Sequence, residues 1–183
     1  MSDAFNRDNH LHEKFKQLIE DNAIEVVIET GTYHGRSTRA FADMGVLVHS
    51  VDSNSSYLAE ARNYIGNMAN VMLHHGNSPD FLRVILPTLK DKKVLMFLDA
   101  HWEHHCPLID ELEIIAKSGV KPIIAIHDFK VPDKDFGFDV YHGQPFEWSW
   151  IEPSVKKIYD KFTHYYNTEA AGAKRGVVFI EPK

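Results

Sequence analysis

The sequence predicts an α/β fold: a seven-stranded, mostly parallel sheet with an antiparallel last strand and helices on both faces. Three observations carry that expectation. Short β-branched runs alternate with helical patterns across short connections, the arrangement of a parallel sheet whose crossovers are helices. The strand-like runs are apolar nearly throughout, as in Val94-Leu95-Met96-Phe97-Leu98, which a sheet covered on both faces requires. The last two runs, separated by 169–175, look like an antiparallel, hairpin-like pair.

Residues 8–21 read as an amphipathic helix, with Leu11, Phe15, Leu18 and Ile19 at helical spacing, so that 1–22 forms an N-terminal helical element. A strand at 24–29, a helix at 36–44 closed by Gly45, and a strand at 46–51 follow. Then come a helix at 56–66, a strand at 71–74, a helix near 79–90 and the strand at 94–98. A helix over 107–118 stops at Gly119, before the strand at 122–126. After Asp128 the alternation breaks. Residues 129–150 hold Pro132, Gly137, Gly143 and Pro145 among seven aromatics, and read as a long ordered loop. A helix near 153–161 and strands at 163–167 and 176–180 complete the chain.

The chain has 183 residues, 44% of them hydrophobic, a length that suits one domain (1–183) with a sizeable core. No stretch is long and apolar enough to span a bilayer, and Met1-Ser2-Asp3-Ala4 does not open a secretion signal. The single cysteine, Cys106, allows no internal disulfide and fits a reducing, cytoplasmic setting. A net charge of −6 with scattered Lys and Arg argues against a nucleic-acid backbone as partner.

In an open α/β sheet, ligands bind beyond the carboxyl ends of the strands, where strand order reverses. The first strand ends in Glu29-Thr30-Gly31-Thr32-Tyr33-His34-Gly35-Arg36-Ser37-Thr38. Gly31 and Gly35 permit a tight turn and close backbone approach, and the helix beginning near Arg36 offers free N–H groups to a carboxylate. The spacing is not that of the dinucleotide fingerprint, and no phosphate-loop lysine is present. The second strand ends at Asp52-Ser53, with the acid placed to accept hydrogen bonds from ribose hydroxyls. The third runs into His75-Gly76-Asn77-Ser78, small and polar enough to meet an adenine edge. An acid ending a strand is often only a cap or a turn residue. The ordered set of Gly turn, Asp52 and Gly76-Asn77-Ser78 is harder to explain as packing.

The run Glu29–Thr38 resembles the first motif of the class I S-adenosylmethionine-dependent methyltransferases, a Rossmann-like family. It is most similar to the catechol-type, metal-dependent small-molecule O-methyltransferases, and also resembles the macrocin O-methyltransferase and cephalosporin hydroxylase groups. The resemblance covers about residues 20–130. It implies that Glu29, Gly31, Thr32, Tyr33, Gly35 and Ser37 form the methionine end of an S-adenosylmethionine site. It further implies that Asp52 and Ser53 meet the ribose, and that Gly76, Asn77 and Ser78 meet the adenine. Acidic surroundings suit a sulfonium cation.

The fourth strand ends in Asp99-Ala100-His101-Trp102. By the same resemblance Asp99 matches a cation-binding aspartate, and His101 with Trp102 matches a pair beside the cofactor, after one extra residue, Ala100. The family's lysine base is absent, with Glu103, His104 and His105 in its place. The fifth strand ends in His127-Asp128, where the family supplies further ligands. Asp99, His127 and Asp128 are thus the expected metal set, for Mg²⁺ or Mn²⁺, histidine shifting the preference away from Mg²⁺. A bound cation would lower the pKa of an attacking hydroxyl. His101 or His127 would act as general base beside Asp99.

In the 129–150 loop, Tyr141, Phe146, Trp148 and Trp150 are expected to wall an acceptor pocket, with Asp133, Asp135 and Asp139 at its rim. They could equally form the loop's own small core. The expected function is S-adenosylmethionine-dependent O-methylation of a small-molecule hydroxyl, with a homodimer kept as a candidate assembly. The alternatives are an S-adenosylmethionine-binding auxiliary protein without catalysis and an NAD-linked oxidoreductase, the latter disfavoured by the glycine spacing. A nucleic-acid N-methyltransferase would carry Asn/Asp-Pro-Pro-aromatic where this chain has Asp-Ala-His-Trp.

Overall fold

The structure, a computed structural model, describes residues 3–101 and 106–183. Its first half alternates α1 (Asn9–Asn22), β1 (Val26–Thr30), α2 (Arg36–Asp43), β2 (Leu47–Asp52), α3 (Ser55–Ile65), β3 (Val71–His75), α4 (Ser78–Ile85) and β4 (Val94–Leu98). Next come α5 (Leu108–Ser118), β5 (Ile123–His127), a short hairpin of β6 (Val140–Tyr141) and β7 (Gln144–Pro145), α6 (Trp148–Ile158), β8 (Phe162–Tyr166) and β9 (Val177–Pro182). The main sheet has seven strands in the order β3-β2-β1-β4-β5-β9-β8. The pairings from β3 to β5 are parallel, and β9 runs antiparallel to both its neighbours. This is the sheet the sequence predicts.

β1, β4 and β5 are buried at every residue, as central strands covered on both faces must be. One face carries α1 and α2, whose Phe15 and Phe41 meet Phe97 and Phe179 from the sheet. The other carries α4, α5 and α6, whose Leu82, Leu112, Ile151 and Val155 cover Ile28, Met96 and Ile124. The Asp8 carboxylate starts α1 by accepting from the N–H groups of His10 and Leu11. Gly119, left-handed at φ 77°, ends α5.

Ahead of α1 lies a single turn, Ala4–Arg7, left-handed at Phe5 and Asn6. It is held because the Phe5 ring enters the aromatic core, 5.0 Å from both Phe15 and Phe41 and 5.8 Å from Phe97.

Two boundaries differ from the sequence reading. The helix expected over 79–90 is α4 followed by a 3₁₀ turn, Leu86–Leu89, because Pro87 has no N–H to continue the α ladder. The helix expected from 153 begins at Trp148, so the 129–150 loop contains a hairpin and the first residues of α6. Pro153 removes one backbone hydrogen bond, and burial of Ile151, Val155 and Ile158 offsets that loss. Among the described residues, no helix is long and apolar enough to cross a membrane.

Strand order reverses at β1, which pairs with β2 on one side and β4 on the other. The crevice beyond the carboxyl ends of β1 and β4 is therefore where a ligand site is expected.

Candidate active site

The turn after β1 is shaped by two glycines. Gly31 has φ 91°, and its N–H donates to the Val51 carbonyl at 2.9 Å. A Cβ at Gly31 would overlap the Asp99 carbonyl oxygen, so only glycine lets the ends of β1 and β4 lie this close. At Gly35 (φ 75°) a Cβ would lie 2.9 Å from atoms of Ala61 and Ile65, so glycine lets α2 start directly against α3. Asp52 is oriented by two backbone donors: Tyr33 N–H to Oδ2 and Asn54 N–H to Oδ1, both at 2.8 Å. Asn77 caps α4, its Oδ1 accepting from the Asp80 N–H at 2.9 Å.

Along these elements runs a cavity of about 650 Å³. It extends from Asp52, Ser53 and Tyr57 past Gly31, Tyr33 and Gly76-Asn77-Ser78 to Asp99, His101 and Asp128. The volume suits a nucleoside-sized ligand. The structure thus brings most of the cofactor residues predicted from the sequence around one cavity.

Four predicted residues lie elsewhere. Glu29 is buried, its Oε2 accepting from the Thr38 hydroxyl and, at 2.6 Å, from Ser50 Oγ. Burial pushes its carboxyl up to about 8, against the lowering effect of those hydroxyls, so it carries little charge at neutral pH. Thr32 is buried beside it, its Oγ1 2.6 Å from Ser50 Oγ. Gly35 is buried against α3. Ser37 Oγ accepts from the backbone N–H of Phe5 at 3.1 Å, and Arg36 pairs with Asp3, so the N-terminal turn covers this helix start. None of these four lines the cavity. Trp102, Glu103, His104 and His105 lie outside the described residues.

At the other end of the cavity, acids and histidines converge. His127 is buried, its Nδ1 3.2 Å from Oδ1 of both Asp99 and Asp128 yet aligned with neither for a hydrogen bond. Burial alone would lower its pKa, but the two carboxylates push it well above the usual histidine range. His101 Nε2 lies 2.8 Å from Asp128 Oδ2 and 3.6 Å from both Asp99 and Asp139. Its pKa is also raised: burial pulls down, and Asp128 with Asp99 pulls up more strongly. Burial would raise the Asp128 carboxyl, but His127 and His101 hold it far below the usual range. The Asp128 backbone is left-handed at φ 56°, a strain tolerated where it aims a side chain.

Ligand atoms of Asp99, His127 and Asp128 lie within 4.8 Å of one another, close enough for one ion to bridge. His127 Nδ1 is a buried ring nitrogen without a hydrogen-bond partner, and in its deprotonated form its lone pair would be free to coordinate such an ion. Asp99, His127 and Asp128 therefore lie together, as do His101, Asp128 and Asp139, and the chemistry of the first set fits a divalent cation of the Mn²⁺ type.

A second cavity, of about 620 Å³, adjoins the first and shares Asn6, His101 and Asp128 with it. Its own walls include Phe138, Asp139, Tyr141 and Arg175. The Arg175 guanidinium donates to both Asp128 and Asp139. Asn6 and Arg175 carry no motif and were missed from the sequence. Topology was the available signal for Arg175. β8 runs parallel to β5, so the connection from β8 back to β9 must return at the same sheet edge as the site.

Of the aromatic residues expected to wall an acceptor pocket, Tyr141 lines this second cavity. Phe146 is fully buried behind the His101 ring, 4.9 Å away, and Trp150 packs on Phe146 at 5.3 Å. Trp148 stacks on His164, ring centroids 3.6 Å apart. Phe146 is thus core, and the half-buried Trp148 and Trp150, in the first turn of an α6 that begins earlier than predicted, pack against that core. Of the expected rim acids, Asp139 reaches the cavity, whereas Asp133 and Asp135 are exposed elsewhere.

No family model matches the sequence, and no curated protein does. Solved structures do match in shape. An O-methyltransferase from Bacillus cereus in complex with SAH superposes with a TM-score of 0.64 at 15% identity, over 96% of this chain and 81% of that one. The O-methyltransferase TomG from Streptomyces achromogenes, involved in tomaymycin synthesis and solved with SAM, gives 0.61 at 15%, over 94% and 79%. A candidate caffeoyl-CoA O-methyltransferase from Staphylococcus aureus gives 0.63 at 15%, over 95% and 84%. The fold is that of the S-adenosylmethionine-dependent O-methyltransferases. Within this methyltransferase fold, the glycine turn, Asp52 and the Asp99–Asp128 cluster stand at the carboxyl ends of β1, β2, β4 and β5.

Proposed function

We propose that this protein transfers a methyl group from S-adenosylmethionine to a hydroxyl of a small molecule, assisted by a divalent cation. The observation that carries the reading is the pair of adjoining cavities: one has a nucleoside-sized volume, and the other shares His101 and Asp128 with it. When bound, the cofactor supplies an electrophilic methyl on a sulfonium sulfur, and the cation supplies charge that makes a hydroxyl more acidic.

The chain's own residues do the rest. Asp52, already oriented by two backbone N–H groups, holds the ribose hydroxyls with its remaining lone pairs. Gly76-Asn77-Ser78 meets the base, and Gly31 with Tyr33 frames the cofactor's methionine side. Asp99, His127 and Asp128 hold the cation. His101, anchored through Nε2 to Asp128, stands where the two cavities meet and takes up the acceptor's proton. With that proton removed, the acceptor oxygen would be the nucleophile toward the methyl that a bound S-adenosylmethionine would supply, with the neutral thioether as leaving group. Alignment of the two ligands across the shared boundary supplies much of the acceleration.

Calorimetric titration with S-adenosylmethionine and with NAD, with and without Mn²⁺, tests this reading. S-adenosylmethionine is expected to bind, with affinity reduced at least about 10-fold in Asp52→Ala, as expected for loss of a charged hydrogen-bonding partner. Binding of NAD in its place would overturn the cofactor assignment. Asp99→Asn should abolish cation-stimulated turnover while sparing cofactor affinity more than Asp52→Ala does, and full activity in chelator would remove the cation from the proposal.

A further inference from the structure

Both oxygens of Asp128 are already engaged. Oδ2 accepts from His101 Nε2 at 2.8 Å, and Oδ1 accepts from Arg175 Nε while lying 3.2 Å from His127 Nδ1. Arg175 spans to Asp139 Oδ1 with a second nitrogen. The guanidinium therefore sits on the very oxygen that faces the unpartnered His127 donor.

The backbone around it is built for this contact. Lys174, just before Arg175, is left-handed at φ 52°, as Asp128 is at 56°. The two segments are stitched by Gly137 N–H to the Lys174 carbonyl (2.8 Å), Gly176 N–H to the Gly137 carbonyl (2.9 Å) and Asp139 N–H to the Asp128 carbonyl (2.9 Å). A planar, permanently charged fork bridging two carboxylates is a task for arginine specifically.

We infer that Arg175 is an internal competitor for the divalent cation: it neutralises Asp128 in the ion-free protein, sets the cation's affinity, and couples the cation's arrival to the wall of the acceptor cavity. This rests on the cation reading above. A cation held by Asp99, His127 and Asp128 draws on the same oxygen as the guanidinium. Two like charges within a few ångströms oppose each other strongly, even at the effective dielectric near 20 that applies close to a protein surface. Arrival of the cation therefore weakens the Arg175–Asp128 pair. Through Asp139 and the 137–139 backbone, that change reaches the second cavity. Residues 137–139 and 174–176 loosen together, because the same side chain clamps both.

The test is Mn²⁺ binding to the full chain, read by the electron paramagnetic resonance of the free ion. The proteins compared are the wild type, Arg175→Met, Arg175→Gln, Arg175→Lys and Asp99→Asn, each first shown to melt cooperatively. Both neutral replacements are expected to tighten Mn²⁺ binding at least about 10-fold, the scale expected for removing a nearby like charge. The lysine variant, which keeps the charge but not the fork, should bind Mn²⁺ less tightly than either neutral variant, and Asp99→Asn should weaken binding. Mere structural damage would weaken binding, so the direction separates the two causes. If Asp99→Asn abolishes Mn²⁺ binding but both neutral variants match the wild type, the Arg175 role is wrong and the cation site stands. If no protein in the series binds Mn²⁺, the cation reading fails and takes this role with it. Hydrogen exchange supplies the second readout: amides of 137–139 should exchange faster in the wild type once Mn²⁺ is added, and unchanged exchange would overturn the coupling.

Discussion

Replacing Glu29 with glutamine should make this protein more stable at alkaline pH and leave it nearly unchanged in acid. Glu29 lies on β1 with 1% of its surface exposed, and its carboxyl titrates at about 8 instead of 4.5 because burial disfavours the charged form. The sign follows from proton binding. Between pH 4.5 and 8 the unfolded chain has lost this proton while the folded protein keeps it, so stability falls as pH rises through that window and levels off above it. At about 1.4 kcal/mol per unit, the shift from 4.5 to about 8 corresponds to roughly 5 kcal/mol by pH 8.5. Glutamine has nearly the same shape, its amide oxygen can accept from Thr38 and Ser50 as Oε2 does, and it has no proton to lose. Urea unfolding of both proteins from pH 4 to 9 measures the difference directly. The curves should run together near pH 4 and separate by a few kcal/mol above pH 8, equivalent to roughly 10 °C in melting temperature for a domain of this size. A gap that does not change with pH would refute the assignment of a buried, neutral Glu29.

Gly31→Ala places a methyl group against the Asp99 carbonyl at a left-handed position. It should cost about 2 kcal/mol or more and weaken S-adenosylmethionine binding, measured by denaturation and calorimetry together. Trp148→Ala removes an indole that stacks on His164. It should lower stability by about 2 kcal/mol and leave acceptor KM and kcat unchanged, because Trp148 belongs to the packing of α6. A changed acceptor KM would return it to the site.

The parts of this fold that were legible in the sequence are those where one physical signal dominates. β1, β4 and β5 are uninterrupted apolar runs, and the structure buries them on both faces. Leu11, Phe15, Leu18 and Ile19 mark α1 by spacing alone. The start of α6 was hidden because Pro153 reads locally as a first-turn residue, while burial of the helix as a whole decides the outcome. In the site, Gly31, Asp52 and Asp99 follow from strand ends in a parallel sheet. Glu29 and Ser37 belong to the same motif in order, but strand alternation turns Glu29 toward α2, and the Phe5 backbone takes the Ser37 hydroxyl. Asn6 and Arg175 reach the site from segments more than 90 and 40 residues away from His101 and Asp128 in the chain, and tertiary contact alone brings them there.

Phe97 touches Phe5 and Phe15 on one side and the His127 ring on the other, with centroids 5.8, 5.2 and 5.7 Å away. A continuous line of rings thus joins the first helix to the imidazole beside Asp99 and Asp128. Trimming Phe15 would open a void several side chains away from any ligand, and the slack would travel along that line to His127. Screens for impaired variants should therefore expect hits on a helix that borders neither cavity.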